Sequence, residues 1–536
     1  MNFALPVLGG LGLFLYGMTL MGSGLQKTAG ARLKRIVEIL TTNIFMGVFV
    51  GAIVTMIIQS SSATTVMVIG FVNAGIMTLF QATGVIMGAN IGTTVTAQLI
   101  AFKLTDYAPI AVIVGVGLWI ITSNKKTKDL AEILIGFGIL FIGMDMMSDG
   151  LAPLSASPIF TKLMTSLNNP VLGMLAGFIL TAIVQSSSAS IGLLQALAGQ
   201  GLIGVNLAFP ILFGENIGST TTALLSSIGA NKTAKRAAWI HFVFNVVGTI
   251  IFMTLLQHPI AWFVEGLSPG NISRQIANAH SLFNIINVII QIPFARFLVK
   301  FVEWLIPGED EKPKSASIYL DYRIIETPSI ALGQVTKEVL RMGDLVLENL
   351  EDSKSALVDG KFNLIEGVLA KEKIINKLER EITEYLVRLS NASLSDIQKG
   401  EVNHLLYIIN DLERIGDHIE NITELAMGME VESIIFSDYA TNALNEIFHK
   451  SLEIVKKAKD AFEFNSRDLA LEVKDIEDEI DGLEEKNRKD HINRLNNNEC
   501  QTEPGVIFLD TISNLERVAD HSLNIAMYVL DITSRP

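Results

Sequence analysis

Two short runs in this sequence combine polar chemistry with an apolar setting. Gln59-Ser60-Ser61-Ser62-Ala63-Thr64-Thr65 lies between GVFVGAIVTMII and VMVIGFVNAGIM, and Gln185-Ser186-Ser187-Ser188-Ala189 repeats it 126 residues later. A backbone break followed by serines starts a new helix, whose first N–H groups are free and carry partial positive charge. Serine hydroxyls there can cap the helix and donate to an anion. The glutamine oxygen and the broken carbonyls are neutral ligands that suit a hard cation such as Na+. Against this stands a plainer role, in which small polar residues cement helix packing. One copy leaves the two readings level; two copies, each followed by a GxNIGTT-like run, favour the ion-handling one.

The elements around these runs read as membrane-embedded. Of 536 residues, 49% are hydrophobic and the mean hydropathy is +0.42, too apolar for an ordinary soluble chain. The net charge of −14 is unevenly spread. Residues 1–307 hold 15 Lys/Arg against 9 Asp/Glu, and residues 308–536 hold 26 against 46. A membrane domain (1–306), a polar linker (307–329) and a soluble domain (330–536) are therefore expected. Cys500 is the only cysteine, which excludes an intrachain disulfide. The first residues lack a basic leader and read as a retained helix rather than a cleaved signal.

The same offset of 126 maps GANIGTT (88–94) onto GENIGST (214–220) and GLFLYGM (12–18) onto GILFIGM (138–144). An internal repeat of about 10–100 and 136–226 follows. The apolar stretches 43–73 and 168–199 are too long for one span of roughly 20 residues, and each is interrupted by QSSS. If each is a re-entrant hairpin, an odd number of crossings separates the copies and the second is inverted. Loop charge fits. Lys27, Arg32, Lys34, Arg35, Lys125, Lys126, Lys128, Lys232, Lys235 and Arg236 fall on one side, against Lys103, Lys162 and Arg274 on the other. The positive-inside rule then places the N-terminus outside and everything after 305 in the cytoplasm. Half-helix ends meeting near the midplane of an inverted repeat is the general plan of secondary transporters.

QSSSATT, QSSSASI, GANIGTT and GENIGST resemble the repeat signatures of type II sodium–phosphate cotransporters, over about residues 5–300. The resemblance implies Na+-coupled movement of inorganic phosphate. It also implies phosphate and sodium sites built from Gln59, Ser60, Ser61, Ser62, Thr64, Gln185, Ser186, Ser187 and Ser188. Asn90, Thr93, Thr94, Asn216, Ser219 and Thr220 add donors and acceptors. The copies are not equivalent, since Thr65 is matched by Ile191.

Glu215 stands where the first copy has Ala89. A carboxylate inside a membrane is functional by default; a cation or proton site and an ion pair with a basic residue are equally open. Asp145, opposite Thr19 in the repeat, carries the same ambiguity. His241-x-x-x-Asn245 recurs as His280-x-x-x-Asn284, and packing with interhelical hydrogen bonds is preferred there.

The acidic half is a second repeat. Leu412-Glu413-Arg414-Ile415-Gly416-Asp417-His418 matches Leu515-Glu516-Arg517-Val518-Ala519-Asp520-His521. Each copy (about 330–428 and 436–536) carries three long helical patterns, predicting a pair of three-helix bundles. Glu413/Asp417 and Glu516/Asp520 share a helix face at i, i+4. They could hold a metal, or form a solvated acidic face braced by Arg414 and Arg517, which spacing alone favours. The doubled LERxxDH resembles PhoU, a helical regulator of phosphate uptake. That implies carboxylate sites for a divalent or iron-type metal at Glu413, Asp417, Glu516 and Asp520.

The expected protein is all-α and not an enzyme: no P-loop lysine follows GxNIGTT. It is a multi-pass protein of the cytoplasmic membrane whose partners are phosphate, Na+, the bilayer and a cytoplasmic regulatory protein, with no nucleic acid. Na+:phosphate symport by alternating access leads. Phosphate export on the same fold and a membrane-anchored phosphate-signalling protein are the rivals.

Overall fold

The computed structural model describes all residues except 1–3, 39–42, 103, 168, 311–315, 393, 498 and 535–536. Lys103 of the loop-charge count lies outside the described residues. Those described are helical, with no strand among them. The membrane unit holds α1 (Ala4–Glu38), α2 (Ile44–Ile58), α3 (Ser61–Asn73), α4 (Leu79–Ala101), α5 (Ala108–Ile121) and α6 (Lys125–Leu151). It continues with α7 (Pro158–Ser166), α8 (Pro170–Val184), α9 (Ser187–Gly199), α10 (Val205–Gly218), α11 (Thr221–Ser226), α12 (Lys232–Ile251), α13 (Gln257–Leu267), α14 (Ile272–Gln291) and α15 (Ala295–Leu305). The second unit holds α16 (Pro328–Val358), α17 (Ile365–Ser390), α18 (Asp396–Glu432), α19 (Asp438–Phe464), α20 (Arg467–Asn496) and α21 (Thr502–Ser534). By contacts the chain divides into 1–312 with 321–330, and 313–320 with 331–536, so the first two residues and Ile330 of α16 belong with the membrane unit.

Among the described residues, six segments are long and apolar enough to cross a membrane: 4–29, 79–101, 104–121, 125–154, 232–267 and 272–305. Large apolar side chains such as Ile113, Ile120, Trp262 and Phe297 are exposed on them, as lipid-facing side chains are. Inside, Phe209, Phe213, Phe252 and Phe283 form an aromatic core between α10, α14 and the α12–α13 junction.

The two copies of the repeat start alike. α2 begins at Asn43, whose side chain accepts from Met46 N; α8 begins at Asn169, which accepts from Val171 N and is followed by Pro170 at the first helical position. Both helices run 15 residues, short of the length a span needs. α2 packs on α4 and α8 on α10 at backbone distance: a Cβ on Gly88 would collide with the Val48 carbonyl, and one on Gly214 with that of Met174.

The copies then diverge. α4 runs unbroken through GANIGTT to Ala101, whereas its counterpart stops at Gly218 and restarts as α11. Ser219, Thr220 and Thr221 Oγ each donate at 2.7 Å to the carbonyl three residues back, and such local bonds compete with the helical ladder.

In the second unit each repeat contributes three helices, α16–α18 and α19–α21, with buried Ile415, Ile419, Leu515 and Val518 on the inward faces of α18 and α21.

Candidate functional site

The QSSS runs are breaks between two short helices. Gln59 ends α2 in the left-handed region (φ 59°, ψ 22°), and its N–H still bonds the Thr55 carbonyl. Ser60 then caps α3, its Oγ accepting from Ala63 N at 3.1 Å. Gln185 (φ 55°, ψ 23°) and Ser186, accepting from Ala189 N at 3.3 Å, do the same for α8 and α9. Ser61 and Ser62, like Ser187 and Ser188, fall on the first turn of the new helix, where N–H groups point outward. Among the described residues none of these four hydroxyls is hydrogen-bonded.

Polar partners brace the first break. Thr96 Oγ1 donates to Gln59 Oε1 at 2.9 Å, Gln59 Nε2 donates to the Met56 carbonyl, and Thr55 Oγ1 donates to Thr64 at 3.0 Å. Gln59 and Thr64 are buried. The second break is looser. Gln185 is exposed, and the hydroxyls of Thr181 and Thr222, counterparts of Thr55 and Thr96, are buried without partners among the described residues. The interruption after Gly218 takes Thr222 off the line that α4 holds through Thr96.

Asn90 and Asn216 Nδ2 both donate to the carbonyl four residues back, at 2.8 and 2.9 Å. Thr93 and Thr94 likewise bond back along α4. Asn216 Oδ1 remains available to α14: Asn284 Nδ2 donates to it at 3.4 Å and His280 Nε2 lies 3.3 Å away. The histidine–asparagine motif of α14 thus reaches a candidate site residue. Its copy on α12 does not, and neither ring nitrogen of His241 has a partner. Gln195, on α9, links the copies by donating to the Ala97 carbonyl at 3.1 Å. Glu215 is fully buried, and among the described residues neither of its oxygens has a hydrogen-bond partner or an ion pair. Asp145, by contrast, is exposed on α6.

In the second unit the i, i+4 pairs lie as expected, each bridged by its arginine: Arg414 to Asp417 at 3.4 Å, Arg517 to Asp520 at 3.1 Å. Among the described residues, one of the four singled out there joins a three-carboxylate group. Asp520 sits with Glu477 and Asp481, ligand atoms within 4.8 Å of one another. Burial, then the neighbouring carboxylates, raise the Glu477 and Asp481 carboxyls. Glu413 and Glu516 are raised by the same two causes in the same order. The sequence signal for the missed pair is the same i, i+4 spacing one helix earlier. In the first copy it reads Glu372-x-x-x-Asn376, with one carboxylate gone. Glu372 is itself withdrawn. It is 1% exposed, and its Oε2 occupies the space a Cβ on Gly416 would need, 2.6 Å away. Ala519 stands at the matching position of the second copy, so Glu477 cannot tuck in the same way and turns to the acidic group instead. Burial, followed by Glu420, Asp417 and Glu413, pushes the Glu372 carboxyl up to about 8.

His418 and His521 do not join the carboxylates. They stack on each other, ring centroids 5.7 Å apart. Each is held by the opposite repeat, His418 Nδ1 2.9 Å from Asn514 Oδ1 and His521 Nδ1 2.8 Å from Asp411 Oδ1.

The Na+/Pi-cotransporter family model matches residues 13–149 and again 139–267, and the PhoU domain model matches 339–426 and 444–529. A Bacillus subtilis protein, YqeW, is 31% identical over 55% of this chain and 96% of its own length. The chain belongs to the Na+/Pi-cotransporter family and carries a tandem PhoU domain. A Salmonella typhimurium protein named "Putative inorganic phosphate export protein YjbB" is 24% identical over 98% of this chain and 97% of its own length. The bovine sodium-dependent phosphate transport protein 2B is 34% identical over 25% of this chain and 20% of its own. This is a transporter family, and with six apolar spans the chain is a multi-pass membrane protein.

Proposed function

We propose that the membrane unit carries inorganic phosphate, coupled to Na+, by alternating access around the two QSSS breaks. The observation that carries this is the doubled construction at Gln59–Ser62 and Gln185–Ser188. Each is a left-handed glutamine, a serine cap and a fresh helix N-terminus with unengaged hydroxyls. Helix N-termini favour phosphate through free N–H groups and the dipole. Gln59 Oε1, the carbonyls at the breaks and Asn216 Oδ1 are neutral oxygens for Na+. Glu215 is a further cation ligand on the second half-site. The breaks are the tips of re-entrant hairpins in an inverted repeat, with the N-terminus outside and the PhoU domain in the cytoplasm. Flux of ³²P-phosphate into proteoliposomes, with and without a Na+ gradient, tests the reading. No flux from folded protein under any gradient would move the function to signalling by the cytoplasmic domain.

Net export is the second reading, favoured by the name of a relative that spans nearly the whole chain. The coupling chemistry is unchanged; the gradients and the gate differ. Vesicles of defined orientation, loaded with phosphate on the PhoU side, separate the two. In either case the PhoU domain regulates flux, and Glu477, Asp481 and Asp520 hold a divalent or iron-type metal.

A further inference from the structure

The segment that composition marks as a linker does structural work in the membrane unit. After α15, Arg236 on α12 donates to the Ile306 carbonyl and at 2.6 Å to that of Gly308, while Asp310 accepts from Thr233 N and Oγ1. Residues 321–330 return to the same unit. Asp321, 5% exposed, caps a short 3-10 turn at Tyr322–Glu326 by accepting from Arg323 N. Asn73, the last residue of α3, donates to Asp321 Oδ2 at 2.7 Å. Arg323 pairs with Asp321 at 2.8 Å and donates through Nε to the Ser226 carbonyl at 2.7 Å. Asn73 in turn accepts from Asn231 N at 2.8 Å. Ile324 is fully buried, and a Cβ on Gly70 would lie 2.8 Å from its Cγ1.

Two features give this contact its meaning. It joins α3, which starts at the first QSSS, to the 226–231 corner that follows the GENIGST helix of the second repeat, so it ties one half-site to the other copy. It is also specific to one copy. Gly70 and Asn73 are matched in α9 by Ala196 and Gly199, which offer neither the space for Ile324 nor the amide for Asp321.

The residues on either side of the segment belong to the second unit. Just before it, Ile318 N and Tyr319 N donate to the buried Glu338 carboxylate at 2.9 and 2.6 Å, and Ser317 N to Glu381 at 2.8 Å. At the other end, Pro328–Ile330 form the first turn of α16, and the rest of that helix lies in the second unit. Both flanks of the strap are thus continuous in the chain with the PhoU domain.

We propose that residues 321–330 are an autoinhibitory strap: seated, they hold α3 against the 226–231 corner and slow transport, and the PhoU domain releases them. This rests on the reading of the membrane unit as a phosphate carrier. Alternating access needs one part of the repeat to move past the other, and a buried anchor with charge-assisted bonds opposes that movement.

The test uses the full chain with Cys500→Ser, Asn73→Cys and Asp321→Cys in proteoliposomes. Without cross-linking the anchor is lost, and Na+-driven phosphate flux should exceed that of the Cys500→Ser parent several-fold. A short reducible thiol cross-linker should then cut the rate at least ten-fold, and reductant should restore it. Arg323→Ala, which leaves both cysteine positions native, should also speed flux. Rates within two-fold of one another before and after complete cross-linking, with the parent active, overturn the strap and leave the carrier standing. No phosphate flux from the folded parent, the uncross-linked double-cysteine variant or Arg323→Ala overturns both.

Discussion

Gln59 and Gln185 adopt one backbone conformation, φ 59°, ψ 22° and φ 55°, ψ 23°, at matching positions of the repeat. A non-glycine residue in this region costs roughly 1–2 kcal/mol, so the side chain must contribute something glycine would not. At Gln59 it accepts from Thr96; at Gln185 it is exposed and Thr222 does not reach it. Gln59→Gly should therefore melt no lower than the native protein by more than the lost hydrogen bond, about 1 kcal/mol, while phosphate flux falls. Gln59→Ala keeps the strain and loses the bond, and should be less stable than Gln185→Ala. Thermal melts of the detergent-purified proteins, paired with initial flux rates, check both statements.

Ser61 and Ser187 open the new helices with hydroxyls that no protein group engages. Their replacement by alanine should leave melting temperature unchanged, since no internal bond is lost. Phosphate affinity should drop. A hydrogen bond to a charged group contributes about 1.5–3 kcal/mol, which corresponds to roughly 10–100-fold in half-saturating phosphate. Unchanged kinetics in both variants would rule out the helix-end model.

The repeats, the break at QSSS and the helical class were legible because identity at a fixed offset and period are properties of sequence. Partnerships were less so. Thr96 and Gln59 are 37 residues apart, and nothing local ties them. GENIGST reads like GANIGTT, yet three back-bonding hydroxyls end α10. Glu477 and Asp481 carry no distinguishing signal in sequence, because acidic pairs are ordinary on solvated helices; the approach of α20 to α21 makes them neighbours of Asp520. Residues 321–330 resemble a linker in composition, and only their burial shows otherwise.

Metal should follow the three-carboxylate group. Asp520→Ala, or Glu477→Ala with Asp481→Ala, should lower the metal content of the purified chain more than Glu413→Ala with Asp417→Ala, since the latter pair lacks a third ligand at hand. Elemental analysis after dialysis reads the difference; equal loss in both sets would contradict it.

Acid should weaken the contact between the two PhoU repeats. His418 is held below the ordinary histidine value, first by burial and then, opposed by its bond to Asn514, by the charge of His521. A folded-state value below the unfolded one means that the unfolded chain takes up the proton first. The stability is therefore fully present above about pH 6.5 and is lost as pH falls from there toward the lowered folded value. His418→Gln should flatten the slope of thermal stability between about pH 6.5 and that lower value, leaving stability at pH 8 little changed.

Glu372 titrates in the opposite sense and offers the sharpest contrast between the copies. Its carboxyl is raised to about 8, above the unfolded value of about 4.3. Its contribution is therefore complete below the unfolded value and is lost as pH rises through the folded one. Glu372→Gln should remove the decline in stability between about pH 4.3 and about pH 8, measured with chelator present. Gly416→Ala should act from the other side. The new Cβ takes the space of Glu372 Oε2 and drives the carboxylate out toward Glu413 and Asp417, as Ala519 does to Glu477. The expected result is a first repeat that gains metal affinity and loses that pH dependence together. A Gly416→Ala protein that keeps its slope between about pH 4.3 and about pH 8 would show that Glu372 stays buried by some other route.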